Sequence, residues 1–315
     1  MKPEQLSALV ESVLYEGQIL YPYRAVSPKK LQRFAFGRVY PSAHSEAQQE
    51  SEPCVMQTQC LLRVRSPSAG ARLAVTVEFL HAVDRTIARL ASPLPSWKPG
   101  QSIPPHRLEA QFEAGGKIHQ AWREARERRI EIAGAIADRA RSLTSFSFAA
   151  MHTAEPVVDD DGRVPALILR ANETISGTVE LSCQRQGDDL FLVSVRIINR
   201  TVAPADSFSS DDDLVLRSLA STHTILHAEG ADFISQASPP EELAAAAAEC
   251  FNAGTWPVLV GDEAAGEHDT MLSSPILLSD YPQLAPENIR EPHDGHRFAD
   301  AVDEMETGPR EILVP

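Results

Sequence analysis

Paired cysteines are missing from this chain. Four cysteines in 315 residues are too few for a disulfide framework. Cys54 and Cys60 stand six apart, and no two cysteines form the C-x-x-C pair of zinc ribbons, iron–sulfur clusters or thiol redox sites. The thiols read as buried or inert. Long apolar runs are also missing. The start, MKPEQLSALVESVLYEGQIL, interrupts its apolar residues with Lys2, Glu4, Glu11 and Glu16, whereas a secretory signal needs about 7–15 apolar positions together. The longest candidate, Leu243 to Ala248, falls well short of the roughly 20 residues that cross a bilayer. A soluble, cytoplasmic protein without direct membrane insertion is expected. Basic charge is scarce: 29 Lys+Arg face 44 Asp+Glu, net −15. That balance excludes the positive footprint of a nucleic-acid binder.

Familiar catalytic signatures are lacking too. The chain has no G-x-x-x-x-G-K-[ST] phosphate loop, no G-x-G-x-x-G after a strand, no G-x-S-x-G elbow and no H-E-x-x-H. This argues against a nucleotide-dependent enzyme or a familiar hydrolase, although a site assembled from distant residues would leave no such trace. No cofactor is implied.

What is present is an ordinary globular composition, with 43% hydrophobic and 23% charged residues. Charge is unevenly divided. Residues 1–150 hold 20 basic and 14 acidic side chains, net +6, and residues 151–315 hold 9 and 30, net −21. This is either a solvated acidic surface or an electrostatic partner face. Strand signals dominate. Residues 55–66 and 73–84 predict a hairpin, and 164–171, 176–185 and 189–199 predict three successive antiparallel strands. Val179, Leu181 and Cys183 share one face of their strand, as do Phe191, Val193, Val195 and Ile197 of theirs. Further strand candidates are 214–227 and 231–236. Helices are expected over 3–15 and 239–251. For 118–142 the expectation is a strand followed by a short helix after Ala133, since alternating Ile130 and Ile132 compete with high helical propensity. The fold class is α+β, predominantly antiparallel β-sheet, sandwich-like, with a few helices packed on one side. One α+β domain over 1–285 is expected, with mobile loops near 42–53, 91–106 and 202–213, followed by a polar acidic tail over 286–315.

Candidate metal ligands are weak. His293 and His296 flank Asp294 in a segment that reads as a loop, and ligands need support to hold an ion. His223 and His227 point the same way in a strand but lie about 13 Å apart. The most distinctive segment is aromatic and basic: Leu14-Tyr15-Glu16-Gly17, Leu20-Tyr21-Pro22-Tyr23-Arg24, then Arg33 and Phe34-Ala35-Phe36-Gly37-Arg38-Val39-Tyr40-Pro41. It is compatible with a core-building strand pair, a protein interface or a small-ligand pocket.

These residues resemble the opening of uncharacterised proteins encoded beside uptake [NiFe]-hydrogenase genes of the high-affinity class. A second stretch agrees: Asn252-Ala253-Gly254-Thr255-Trp256-Pro257-Val258-Leu259-Val260-Gly261, then Ser273-Ser274-Pro275-Ile276-Leu277-Leu278, then Asp280-Tyr281-Pro282 and Ala285-Pro286-Glu287. The chain departs from the family pattern at His293-Asp294-Gly295-His296 and at its tail, so no role is carried over to the tail. The resemblance implies a non-catalytic accessory protein whose partner is a hydrogenase subunit or a maturation factor. It implies no bound nickel, iron or cluster. Tyr15, Glu16, Tyr21, Tyr23, Arg24, Arg33, Phe36, Arg38, Asp280 and Glu287 are the expected partner- or ligand-binding residues. The alternative is an enzyme or small-molecule binder with a sheet-built pocket near Tyr21, Tyr23 and Arg24.

Overall fold

The computed structural model describes residues 9–11, 14, 37–49, 51–66, 70–202 and 210–282. Its elements are α1 (Ser42–Ala47), β1 (Val55–Val64), β2 (Arg72–Leu94), β3 (His106–Glu109), β4 (Gln111–Ala114), β5 (Lys117–Gln120), β6 (Trp122–Ala135), β7 (Arg141–Phe148), β8 (Met151–Val157), β9 (Val164–Asn172), β10 (Ile175–Arg185), β11 (Leu190–Asn199), α2 (Asp211–Val215), β12 (Ala220–Glu229), β13 (Ala231–Phe233), a short 3₁₀ turn (Glu241–Leu243), α3 (Ala244–Ala248), β14 (Trp256–Leu259) and β15 (Thr270–Ser274). The protein is mostly antiparallel sheet. One sheet runs β13-β1-β11-β10-β7. A larger one runs β14-β15-β12-β2-β9-β8, with β3 and β6 also on β2, and β4 pairs with β5 alone.

Strand β2 is the spine. Its 23 residues span roughly 75 Å, enough to serve several neighbours in turn. Its first half pairs with β12 and β6, and its second half with β9 and β3. A second long element ties the sheets together. The β7–β10 pairing ends at Phe148↔Ile175, and β8–β9 resumes in the same register at Met151↔Asn172. One ribbon therefore passes from the smaller sheet into the larger. Met56, Cys60 and Leu62 of β1, Leu73, Val75, Val77 and Phe79 of β2, and Val193, Val195 and Ile197 of β11 belong to a single buried cluster.

The alternation read from the sequence holds in β10 and β11. Val179, Leu181, Cys183, Phe191, Val193, Val195 and Ile197 are all buried, and the strands form the expected hairpin from Gly177↔Asn199 onward. Partner choice differs. Strands β1 and β2 lie in different sheets rather than in one hairpin, and β9 pairs with β2 and β8 instead of β10. A period of two tells which side chains share a face, and says nothing about which strand lies alongside.

Four further expectations are revised. Residues 122–135 are one strand throughout, with no helix after Ala133. Cross-strand ion pairs explain why: Arg123 sits opposite Asp84 at 2.8 Å and Arg129 opposite Glu78 at 3.3 Å, so charges that suit a helix surface instead support the β2–β6 ladder. Residues 42–47 form α1, which buries His44 and Ser45, where a loop was expected. Of the loop expected over 202–213, residues 203–209 lie outside the described residues, and Asp211–Asp213 open α2 behind a Ser210 cap. The proline-rich loop is confined to residues 95–105, where Trp97 is buried with Leu90 and Leu167.

The expected helix over 239–251 appears as the 3₁₀ turn and α3, which place Leu243 and Ala247 against Leu61 and Leu190 of the smaller sheet. Of the expected N-terminal helix only Leu9, Val10, Glu11 and Leu14 are described, all helical. Leu9 and Val10 pack on Val258 and Leu272 of the larger sheet, and Leu14 on Leu80 and Val215. Helical residues thus pack against strands of each sheet.

Candidate functional site

The two stretches that carry the family resemblance lie more than two hundred residues apart, and the fold brings them together. Gly37 accepts a hydrogen bond from the Thr222 amide at 3.1 Å, and Val39 bridges to Leu219 in both directions. These contacts lay residues 37–40 along the start of β12. Gly37 is required there. It sits at φ +55°, and a Cβ would fall 2.5 Å from Cγ of Pro275. Nearby, Thr58 of β1 and Thr255 before β14 both hydrogen-bond the Ser273 hydroxyl of β15, at 2.7 and 2.8 Å. All three are buried, so a hydroxyl chain links the two sheets inside the core.

Arg38 heads the charged part of this junction. Its side chain is only 3% exposed, yet Asp211, 67% exposed, meets it with both oxygens at 2.5 and 3.3 Å. Burial disfavours the guanidinium charge, but the Asp211 hydrogen bond and charge outweigh it and raise its pKa. The Arg38 hydrogen bond in turn holds the Asp211 carboxyl below its ordinary value despite partial burial. The guanidinium also lies 5.9 Å from the centroid of the Tyr40 ring, which stacks on His44 at 5.5 Å. Burial raises the Tyr40 phenol, and Arg38 opposes that shift. The His44 Nε2 contacts a Glu52 carboxylate oxygen. Asp211, Arg38, Tyr40, His44 and Glu52 therefore make one connected group at the edge of the junction.

At the start of β12 two buried atoms have no hydrogen-bond partner among the described residues. The His223 Nδ1–H donates to the Ser221 carbonyl at 2.6 Å, which leaves the lone pair on Nε2, fully buried and without a partner. The Ser221 hydroxyl is also buried and unpartnered, and its backbone sits at φ +48° where β12 slips register. His81 is a second fully buried imidazole. Arg128 approaches its Nδ1 at 3.4 Å, and since a guanidinium only donates, Nδ1 carries the lone pair. Asn172 contacts the same ring at 3.1 Å. Burial pushes both histidines down to about 4.

Of the expected site residues, Arg38 falls in this junction. Asp280 does not reach outward: its Oδ1 accepts the Leu259 amide at 2.8 Å and its Oδ2 accepts the Ser235 hydroxyl, so it pins the 280 turn to β14. Tyr15, Glu16, Tyr21, Tyr23, Arg24, Arg33, Phe36, Glu287, His293 and His296 lie outside the described residues. His223 is buried, whereas His227 is exposed beside Thr270. Sequence reasoning missed His44, Glu52 and Asp211, which join Arg38 only through tertiary contact; the Arg38–Asp211 separation is 173 positions. The Ser-Asp-Asp-Asp cap was the one visible signal.

Among the described residues no group of three or more His, Cys, Asp and Glu is placed to hold a metal ion. Burial raises the thiols of Cys60 and Cys183, the latter to about 11, which makes them poor nucleophiles and ligands. An open concavity of about 860 Å³ lies between the β6–β7 and β10–β11 turns. Arg139, Arg141, Arg185, Asp138 and Asp188 line it. No helix among the described residues is long and apolar enough to cross a membrane. Fold and site together define an antiparallel β protein with a buried polar junction between its two sheets. Against known proteins, no family model matches the chain, and no curated protein matches it.

Proposed function

We propose that this protein is a non-catalytic, cytoplasmic accessory factor for the assembly or support of an uptake [NiFe] hydrogenase, acting by binding a hydrogenase subunit or a maturation factor. The reading rests on the resemblance of the two sequence stretches described above. What supports it is their convergence: Gly37 of the first stretch lies against Pro275 of the second. We infer also that the two sheets face each other as a sandwich, which the shared cluster of β1, β2, β10 and β11 side chains supports. The ionic group headed by Arg38 includes Tyr40, so two members of the aromatic-basic segment take part in it. Arginine and aromatic residues are favoured at protein interfaces.

Affinity capture from the native host under hydrogenase-inducing conditions, with mass spectrometry of the eluate, tests this. Recovery of a hydrogenase subunit or maturation factor, lost on charge reversal of Arg24 and Arg33, is the expected result. A solitary protein in the eluate overturns the reading.

A second reading, a small-molecule binder, is favoured by the arginine-lined concavity at Arg139, Arg141 and Arg185. A thermal-shift screen with anionic metabolites decides it, since a ligand at about 100 times its Kd adds roughly 2.7 kcal/mol. No shift with any saturating ligand removes that reading.

A further inference from the structure

We propose that two copies of this chain join edge to edge through β7, pairing antiparallel about a two-fold axis so that two five-stranded sheets become one of ten strands. Strand β7 ends its sheet. Its eight residues pair with β10 on one side, and none of its backbone groups bonds to any other strand among the described residues. An edge of this length offers about four N–H and four C=O groups to whatever lies alongside.

The other long edges are guarded. Strand β6 carries Arg123, Glu124, Arg126, Glu127, Arg128, Arg129 and Glu131. Strand β8 carries His152, Glu155 and Pro156, and β13 and β14 are only three and four residues long. Charge, proline and brevity are the usual means of keeping an edge unpaired. Strand β7 uses none of them. After Arg141 it reads Ser-Leu-Thr-Ser-Phe-Ser-Phe, uncharged, with Leu143 64% exposed.

That neutrality selects the occupant. A foreign acidic or basic strand would find no opposite charge on residues 142–148, whereas a second copy meets no like charge. A two-fold axis normal to the sheet keeps outward residues opposite outward residues. Centred on Ser145, it sets Ser145 against its own copy, Leu143 against Ser147, and Thr144 against Phe146. Arg141 then faces Ala149, beyond the strand end. Hydroxyl–hydroxyl and aromatic–β-branched pairs are favourable cross-strand neighbours. The contact is isologous and closes at two copies, so it gives a dimer and no filament.

Sedimentation equilibrium on the full chain tests the proposal. The expected mass at high micromolar concentration is twice 34.4 kDa. Leu143→Lys with Ser145→Lys changes only exposed side chains, so the fold, checked by circular dichroism, is retained and the mass falls to that of one chain. Ser145→Lys and Ser145→Glu should each be monomeric alone and form a mixed dimer together. A wild-type chain that stays monomeric at high micromolar concentration overturns the proposal, even if it captures another protein. So does a dimer that survives the double lysine variant.

Discussion

Mild acid should weaken this fold through His81 and His223. Both side chains are fully buried, and burial lowers each to about 4 in the folded state against about 6.5 when unfolded. The unfolded chain therefore binds more protons between those values. Stability present above pH 6.5 is lost as pH falls through that window, and the loss levels off below about 4. At pH 5 each histidine costs about 2 kcal/mol, and the pair about 4 kcal/mol, a large part of a typical 5–15 kcal/mol. Asp211 and Asp232 are shifted below their ordinary value by Arg38 and Arg65, so their contribution fails only under stronger acid. Glu78, raised by burial, opposes the loss near the acid end. Urea unfolding at pH 7, 6 and 5, on wild type and on His81→Gln, His223→Gln and the double variant, measures the effect. Each substitution lowers stability at pH 7 yet should remove about 2 kcal/mol of the pH 7-to-5 loss. The reasoning fails if the double variant keeps the wild-type pH dependence, or if either imidazole titrates near 6.5 in the folded protein.

Three stability predictions follow from single contacts. Gly37→Ala introduces a Cβ into Pro275 at positive φ, and thermal unfolding should show a loss of about 1–3 kcal/mol. Asp211→Ala removes the carboxylate that meets the buried Arg38 guanidinium with both oxygens and should cost about 1–3 kcal/mol in chemical unfolding; a neutral result would mean that the other contacts of the guanidinium already serve it. Ser273→Ala leaves the buried Thr58 and Thr255 hydroxyls without their shared partner. It should cost about 1–3 kcal/mol, and Thr58→Val added to it should recover part of that loss.

The sequence by itself determined which side chains point inward. The alternation in residues 176–185 and 189–199 located their buried faces and their hairpin, because a pleated strand repeats every two residues whatever lies beside it. It also marked Arg38 as part of an unusual segment. Only the tertiary structure decided partners. Residues 55–64 and 72–94 look like a hairpin locally, yet each has an apolar face, and burial is served as well by placing them in separate sheets. The charges of residues 122–135 suit a helix as readily as a strand until Asp84 and Glu78 are seen to lie opposite Arg123 and Arg129. His44, Glu52 and Asp211 lie in polar stretches without periodicity, and their meeting with Arg38 and Tyr40 depends on contacts that no local pattern encodes. The same holds for Gly37, whose need for a missing Cβ is set by Pro275 at the far end of the chain.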